Sequence, residues 1–146
     1  MEVRAITAED YAGVCALLAE LGRPAVTPAT DAACLALFAA DLADDGADHL
    51  VAADGDGTLL GFCSLHYRRR LNQTTEEAWV PDLIVSEARR SAGVGAALLG
   101  EAERRARERG CHQLVLESAY FRTRAHAFYE RYGMTDAAKA FVRKLA

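Results

Sequence analysis

No Cys-x-x-Cys pair, no apolar run long enough to cross a bilayer and no surplus of basic charge occur in this chain of 146 residues. Each absence closes a class. Cys15, Cys34, Cys63 and Cys111 stand singly beside apolar neighbours. Their even scatter argues against a disulfide framework and the lack of paired ligands against zinc, so reduced, buried thiols are expected and a metal is not. Short apolar runs give no membrane partner. Lysine and arginine number 17 against 21 aspartates and glutamates, a net charge of −4, which does not suit general affinity for nucleic acid. The opening Met-Glu-Val-Arg-Ala-Ile lacks the basic head and apolar stretch of a secretory signal, so a cytoplasmic location is expected. Repeats, linkers and low-complexity tracts are also missing, and a single domain spanning 1–146 is expected.

What is present reads as alternating strands and helices. Glu2 to Ile6 alternates as a first strand, and Thr7-Ala-Glu-Asp10 has the spacing of a capping box with Asp in the usual Glu position. Tyr11, Val14, Leu17, Leu18 and Leu21 then recur at helical spacing, closed by Gly22 and Pro24. Thr27-Pro28 is expected to open a second helix, with Leu35, Phe38 and Leu42 on its buried side. Its end carries Asp41, Asp44 and Asp45, the wrong sign for a helix C-terminus. His49 to Ala53 and Thr58 to His66 flank Asp-Gly-Asp-Gly, a strong hairpin signal, and Gly61 hints at a bulge or a close backbone approach. The polar Tyr67 to Thr75 is a loop. Glu76 to Val85 is extended again, but Pro81 lies within it and lacks the N–H a ladder needs, so this strand must be irregular there. A helix over Ser91 to Arg109, a strand over His112 to Ser118, a short helix over Arg124 to Tyr132 and a last strand over Phe141 to Leu145 complete the chain. The unit from Glu76 to Ser118 is therefore a strand-helix-strand crossover, which makes its two strands parallel.

The turn into that crossover helix carries the chemistry. Arg90-Ser-Ala-Gly93-Val-Gly95 places two glycines in a first helical turn, where each weakens a helix by roughly 1 kcal/mol. The first amides of a helix have no internal partner and sit at the positive end of its dipole. Without side chains in the way, a phosphate can lie directly on them. A P-loop would require Gly-Lys-Ser/Thr, which is absent, and the third glycine of a dinucleotide-binding turn is replaced by Leu98.

Val85-x-x-x-x-Arg90-x-x-Gly93-Val-Gly95-x-x-Leu98-Leu99 resembles motif A of the GCN5-related N-acetyltransferases, the GNAT superfamily. Ala125-His126-Ala-Phe128-Tyr129-Glu130-x-Tyr132-Gly133-Met134 is similar to the same family's Phe-Tyr-Glu segment, and Leu59-Leu60-Gly61-Phe62 and the opening Val-Arg-Ala-Ile-Thr also fit. The likeness covers essentially the whole chain. It departs at Ser91, at Glu87 and near Arg122, where the family often has Gly, Pro and Asn respectively.

The resemblance implies an α/β, GNAT-like fold: a mixed, mostly antiparallel central sheet with helices on both faces. It implies acetyl-CoA as co-substrate, its pyrophosphate on Arg90, Ser91, Ala92, Gly93, Val94, Gly95 and Ala96, and its pantetheine arm between the strand Leu83-Ile84-Val85 and the one ending near Ser118. An unpaired N–H near Ile84 or Val85 is expected to polarise the thioester carbonyl. Tyr129 resembles the family's general acid for the departing thiolate, a phenol of pKa about 10 facing a thiol of about 8.5. Glu77 and Asp82, with Glu76 beside them, lie where the family often places a base, and His66 and His126 are further proton carriers. Arg68-Arg69-Arg70 could meet an anion, and Trp79 and Tyr120 could wall an acceptor pocket. The expected reaction is direct attack by a primary amine in a ternary complex, since no cysteine falls on these motifs. The acceptor stays open between a small amine, such as an aminoglycoside or polyamine, and a protein amine. Expected partners are acetyl-CoA and that acceptor, with room for a homodimer; a non-catalytic acyl-CoA-binding regulatory domain is the competing class.

Overall fold

The longest strand, Leu59–Arg68 (β3), organises the sheet because both of its edges are used along its length. The computed structural model describes residues 1–90 and 92–146, which fall into two compact units, Met1–Val115 and Leu116–Ala146. On one side β3 pairs antiparallel with Ala47–Ala53 (β2), which in turn pairs with Glu2–Ala5 (β1). The β2–β3 hairpin turns through Asp54 to Gly57: the Asp54 N–H donates to the Thr58 carbonyl at 2.8 Å and Gly57 takes the left-handed φ of +86°. The expected hairpin is therefore present.

On its other side β3 serves two short strands in turn. Its C-terminal half pairs with Glu77–Val80 (β4) and its N-terminal half with Leu83–Val85 (β5), both antiparallel. The register advances by one residue between them, from His66 opposite Trp79 to Cys63 opposite Leu83, so Pro81 sits in a bulge as its missing N–H demands. Beyond β4 lies Leu114–Leu116 (β6). The His112 N–H donates to Glu76 and the Ala78 N–H to Gln113, so the bonds advance in the same sense along both segments and the pair is parallel.

Helix Tyr11–Leu21 (α1) and helix Val94–Glu108 (α3) cover opposite faces. Val14 and Leu17 of α1 join Ile6, Val51, Phe62 and Ile84 in one buried cluster. Gly61 neighbours Phe62 on β3 and so points to the other face, where a Cβ would meet Leu98 and Val94 of α3 at 2.9 and 3.1 Å. Asp10 closes the capping box ahead of α1, its carboxylate accepting from the Thr7 N–H at 2.8 Å and from Arg4 at 2.7 Å. The architecture is the α/β one expected: a mixed, mostly antiparallel sheet with helices on both faces.

Several expectations change. Tyr67 and Arg68, expected in a loop, extend β3 and pair with Ala78 and Glu77, and of the four cysteines only Cys63 is buried. The second helix, Asp31–Ala43 (α2), starts one turn later than Thr27-Pro28, because Thr27 to Thr30 closes a turn of its own: the Thr30 Oγ1 accepts from the Thr27 N–H. Leu35 and Leu42 are 47 % and 40 % exposed rather than buried; of that stripe only Phe38 packs, edge-on against Tyr11 at 5.3 Å. The second unit holds Thr123–Tyr132 (α4), closed by Gly133 in the left-handed region, but Phe141 to Leu145 is not a strand. Phe141, Val142 and Leu145 are exposed, and alternation alone cannot make a strand without a neighbour to take its N–H and C=O groups.

Candidate active site

The bulge decides which amides of β5 are free. The Ala78 N–H faces β6, so in an unbroken strand the even-numbered residues after it would also face away from β3. The extra residue inverts this. Ser64 donates its N–H to the Asp82 carbonyl at 2.9 Å and Ser86 donates its own to Leu60 at 2.8 Å, so Asp82, Ile84 and Ser86 bond toward β3. Leu83 and Val85 turn their N–H and C=O groups to the other edge, where β5 has no strand partner among the described residues. Of the two amides expected near the thioester, Ile84 is thus occupied by the ladder and Val85 lies on the open edge.

The bulge is held by side chains. Ser64, buried on β3, accepts the Asp82 N–H on its Oγ at 3.0 Å and contacts Asp82 Oδ2 at 3.4 Å. Arg23, just past the Gly22 cap of α1, donates Nε and Nη2 to Asp82 Oδ1 at 2.9 and 2.7 Å, and Nη2 also reaches the Pro81 carbonyl at 3.3 Å. Neither partner is visible in the sequence, since 18 and 59 residues separate them from Asp82. Glu77 on β4 is buried, with Oε1 accepting from Gln113 at 2.6 Å and Oε2 from Arg68 at 2.8 Å. Burial by itself would raise the Glu77 carboxyl; the Gln113 and Arg68 donors outweigh it and hold the group below the usual carboxylate range. Arg68 also lies over the Trp79 ring at 4.5 Å.

After β5 the chain makes a single 3-10 turn, Glu87–Arg89, anchored at both ends: Glu20 Oε2 accepts the Glu87 N–H at 3.2 Å, and Arg89 pairs with Asp54 of the hairpin at 2.6 Å. Arg90 is extended and exposed, and Gly93 caps α3 with a left-handed φ of +80° that favours glycine. Ser91 lies outside the described residues. The Ala97 N–H makes the first bond back to Gly93, which leaves the amides of Val94, Gly95 and Ala96 without a partner inside the helix. A Cβ on Gly93 would meet nothing within 4 Å, so space is open above the turn. Open amides, open space and a free strand edge only a short turn away fit an elongated ligand with a pyrophosphate at one end. Among the described residues no cluster of three metal-ligating side chains occurs, and no helix is long and apolar enough to cross a membrane.

Tyr129 and Ser118 belong to the second unit, whereas Glu77, Asp82 and the cradle belong to the first. Tyr129 is half-buried on α4 with its ring edge-on to Phe128 at 5.4 Å, and Ser118 follows β6 with a buried Oγ.

A strand with a free edge that feeds a glycine-capped helix N-terminus is the arrangement that the sequence resemblance implies for an acyl-coenzyme A. Comparison with known proteins makes the class specific. Residues 14–134 match the acetyltransferase (GNAT) family model. The chain is 31 % identical to an aminoalkylphosphonate N-acetyltransferase of Salmonella typhimurium, over 99 % of this chain and 91 % of that one. It is 28 % identical to the "Probable glucosamine 6-phosphate N-acetyltransferase 2" of Oryza sativa subsp. japonica, over 93 % and 82 % of the two chains. Its fold is also that of a transcriptional regulator from Bacillus halodurans C-125, with a TM-score of 0.91 at 23 % identity and 99 % of both chains covered. The chain belongs to the GNAT family. It is an N-acetyltransferase that uses acetyl-CoA as co-substrate.

Proposed function

We propose that this enzyme moves the acetyl group of acetyl-CoA to the primary amine of a small molecule by direct attack in a ternary complex. The observation that carries the reading is the bulge, which frees Val85 on β5 a short turn upstream of the Gly93-capped helix. In this reading the amides from Arg90 to Ala96 hold the pyrophosphate and the edge of Leu83 and Val85 pairs with the pantetheine arm. Acetyl-CoA supplies an activated thioester, and the Val85 N–H stabilises the charge that develops on its carbonyl oxygen, a donor worth ~3 kcal/mol of barrier.

Most free amines arrive as ammonium and must lose a proton before they attack. Asp82 suits that task better than Glu77. Both oxygens of Glu77 are taken by short hydrogen bonds, whereas among the described residues Asp82 Oδ2 has only the 3.4 Å contact from Ser64 and sits beside the strand that takes the thioester. Glu77 then orders Arg68 and Gln113 around the site. Tyr129 delivers a proton to the coenzyme A thiolate as it leaves, and Ser118 contributes to the pantetheine site. The names of the Salmonella and Oryza relatives both join an amine to a phosphorus oxyanion, which supports a small, anion-bearing acceptor.

The test is release of free thiol with a panel of amines. Wild type is expected to turn over. Tyr129→Phe is expected to lose 10²- to 10⁴-fold in kcat, the usual contribution of one general acid, with acetyl-CoA affinity retained. Tight acetyl-CoA binding with no thiol release from wild type, whatever the amine, would overturn the reading and leave a binding domain.

A further inference from the structure

We propose that Arg23 determines acceptor specificity, and that with Asp82 it selects a short zwitterionic amine, one that carries an ammonium at one end and an oxyanion at the other. The inference rests on the acetyl-transfer reading above and adds to it a residue and a substrate charge pattern.

Arg23 and Asp82 meet at the bulge with opposite charges side by side, and neither is fully satisfied by the other. Nε and Nη2 of Arg23 converge on Asp82 Oδ1, while among the described residues Oδ2 has only the long Ser64 contact. The second terminal nitrogen of Arg23, Nη1, has no hydrogen bond among the described residues, and its side chain is 55 % exposed against 19 % for Asp82. Each partner therefore keeps a valence for a ligand: an acceptor site on the carboxylate and a pair of N–H donors on the guanidinium.

An ion pair this exposed adds about 0–1 kcal/mol to stability, so stability alone explains little of its presence. Its position explains more. Asp82 directly precedes β5, whose open edge starts at Leu83, and Arg23 reaches it from the connection between α1 and α2. A neutral-tailed amine would satisfy Asp82 and leave the exposed Nη1 to water, with no gain from the guanidinium. A dication would place its second charge against the guanidinium. A zwitterion satisfies both groups, and the guanidinium fork suits phosphonate, phosphate or carboxylate oxygens in particular. No covalent step is added, because the ammonium still loses its proton at Asp82 before attack.

The experiment compares kcat/KM for a two-carbon aminophosphonate and for n-propylamine, in wild type, Arg23→Met and Arg23→Lys. Wild type is expected to favour the aminophosphonate at least tenfold. Arg23→Met should cut that ratio at least tenfold, mainly through KM for the aminophosphonate, and Arg23→Lys should restore part of it because the cation returns without the fork. Acetyl-CoA affinity, read by calorimetry, reports that the fold is intact. If Arg23 only braces the bulge, both acceptors will lose kcat/KM equally and the ratio will stay put; that result overturns the proposal. A wild type that acetylates propylamine as well as the aminophosphonate overturns it too, independently of the variants, and leaves the acetyl-transfer reading standing. Absence of thiol release with every amine would instead remove the reading on which it rests.

Discussion

Gly61 of β3 lies against the backbone of β5 so closely that a Cβ there would stand 2.8 Å from the Ile84 carbonyl oxygen. The nearest obstacle is main chain, which cannot turn aside as a side chain can, and the buried Leu98 and Val94 side chains of α3 crowd the other side. Gly61→Ala is expected to destabilise the protein by about 1–3 kcal/mol, as overpacking does. It should also weaken acetyl-CoA binding, because β5 and the helix that starts the cradle are the two elements pushed apart. Chemical denaturation and calorimetry check the two effects; a variant with unchanged stability would mean that β5 does not pack this tightly.

The cradle makes a separate prediction. Gly95 lies in the first turn of α3, among the amides left without a helical partner. Gly95→Val is expected to set a branched side chain in the path of the pyrophosphate and abolish coenzyme A binding with the fold retained. Gly93→Ala acts differently, through its left-handed φ of +80°, and should cost about 1–2 kcal/mol of stability. Unchanged coenzyme A affinity in Gly95→Val would remove the cradle from the site.

His49 sets an expectation for pH. Its ring is buried beside Phe62 and His66, and neither nitrogen has a hydrogen-bond partner among the described residues; Asp41 of α2 is 3.8 Å away. Burial pushes the imidazole below its ordinary 6.5; Asp41, Asp44 and Asp48 oppose this and His66 adds to it. The unfolded chain therefore binds a proton at this position before the folded one does. Stability from this group is intact above the unfolded value near 6.5 and falls as pH drops from there toward the lower folded value. Urea midpoints measured from pH 8 to pH 5 are expected to decline less steeply in His49→Gln than in wild type. Equal slopes would show that His49 takes up no extra proton on unfolding.

Local features are legible in the amino-acid sequence. The Asp-Gly hairpin, the Thr7–Asp10 cap, the Gly22 and Gly133 stops and the Gly93 entry to α3 depend on residues within one or two turns of each other, where sterics and nearby hydrogen bonds decide the backbone. Pro81 announces an interruption for the same reason. The apolar stripe of α2 misleads because periodicity states that one face is apolar, not that another element reaches it, and only Phe38 finds a neighbour in the core. Phe141 to Leu145 misleads likewise, since a strand is defined by its partner.

By itself, then, the sequence determined the family, the co-substrate and the glycine-capped helix N-terminus, because those rest on short contiguous patterns. Tertiary structure decided that the bulge at Pro81 frees Val85 and not Ile84, that Glu77 accepts from both Arg68 and Gln113, and that Arg23 faces Asp82 across 59 residues of chain. Strand register and long-range ion pairs arise from how distant segments pack, and no local pattern encodes them.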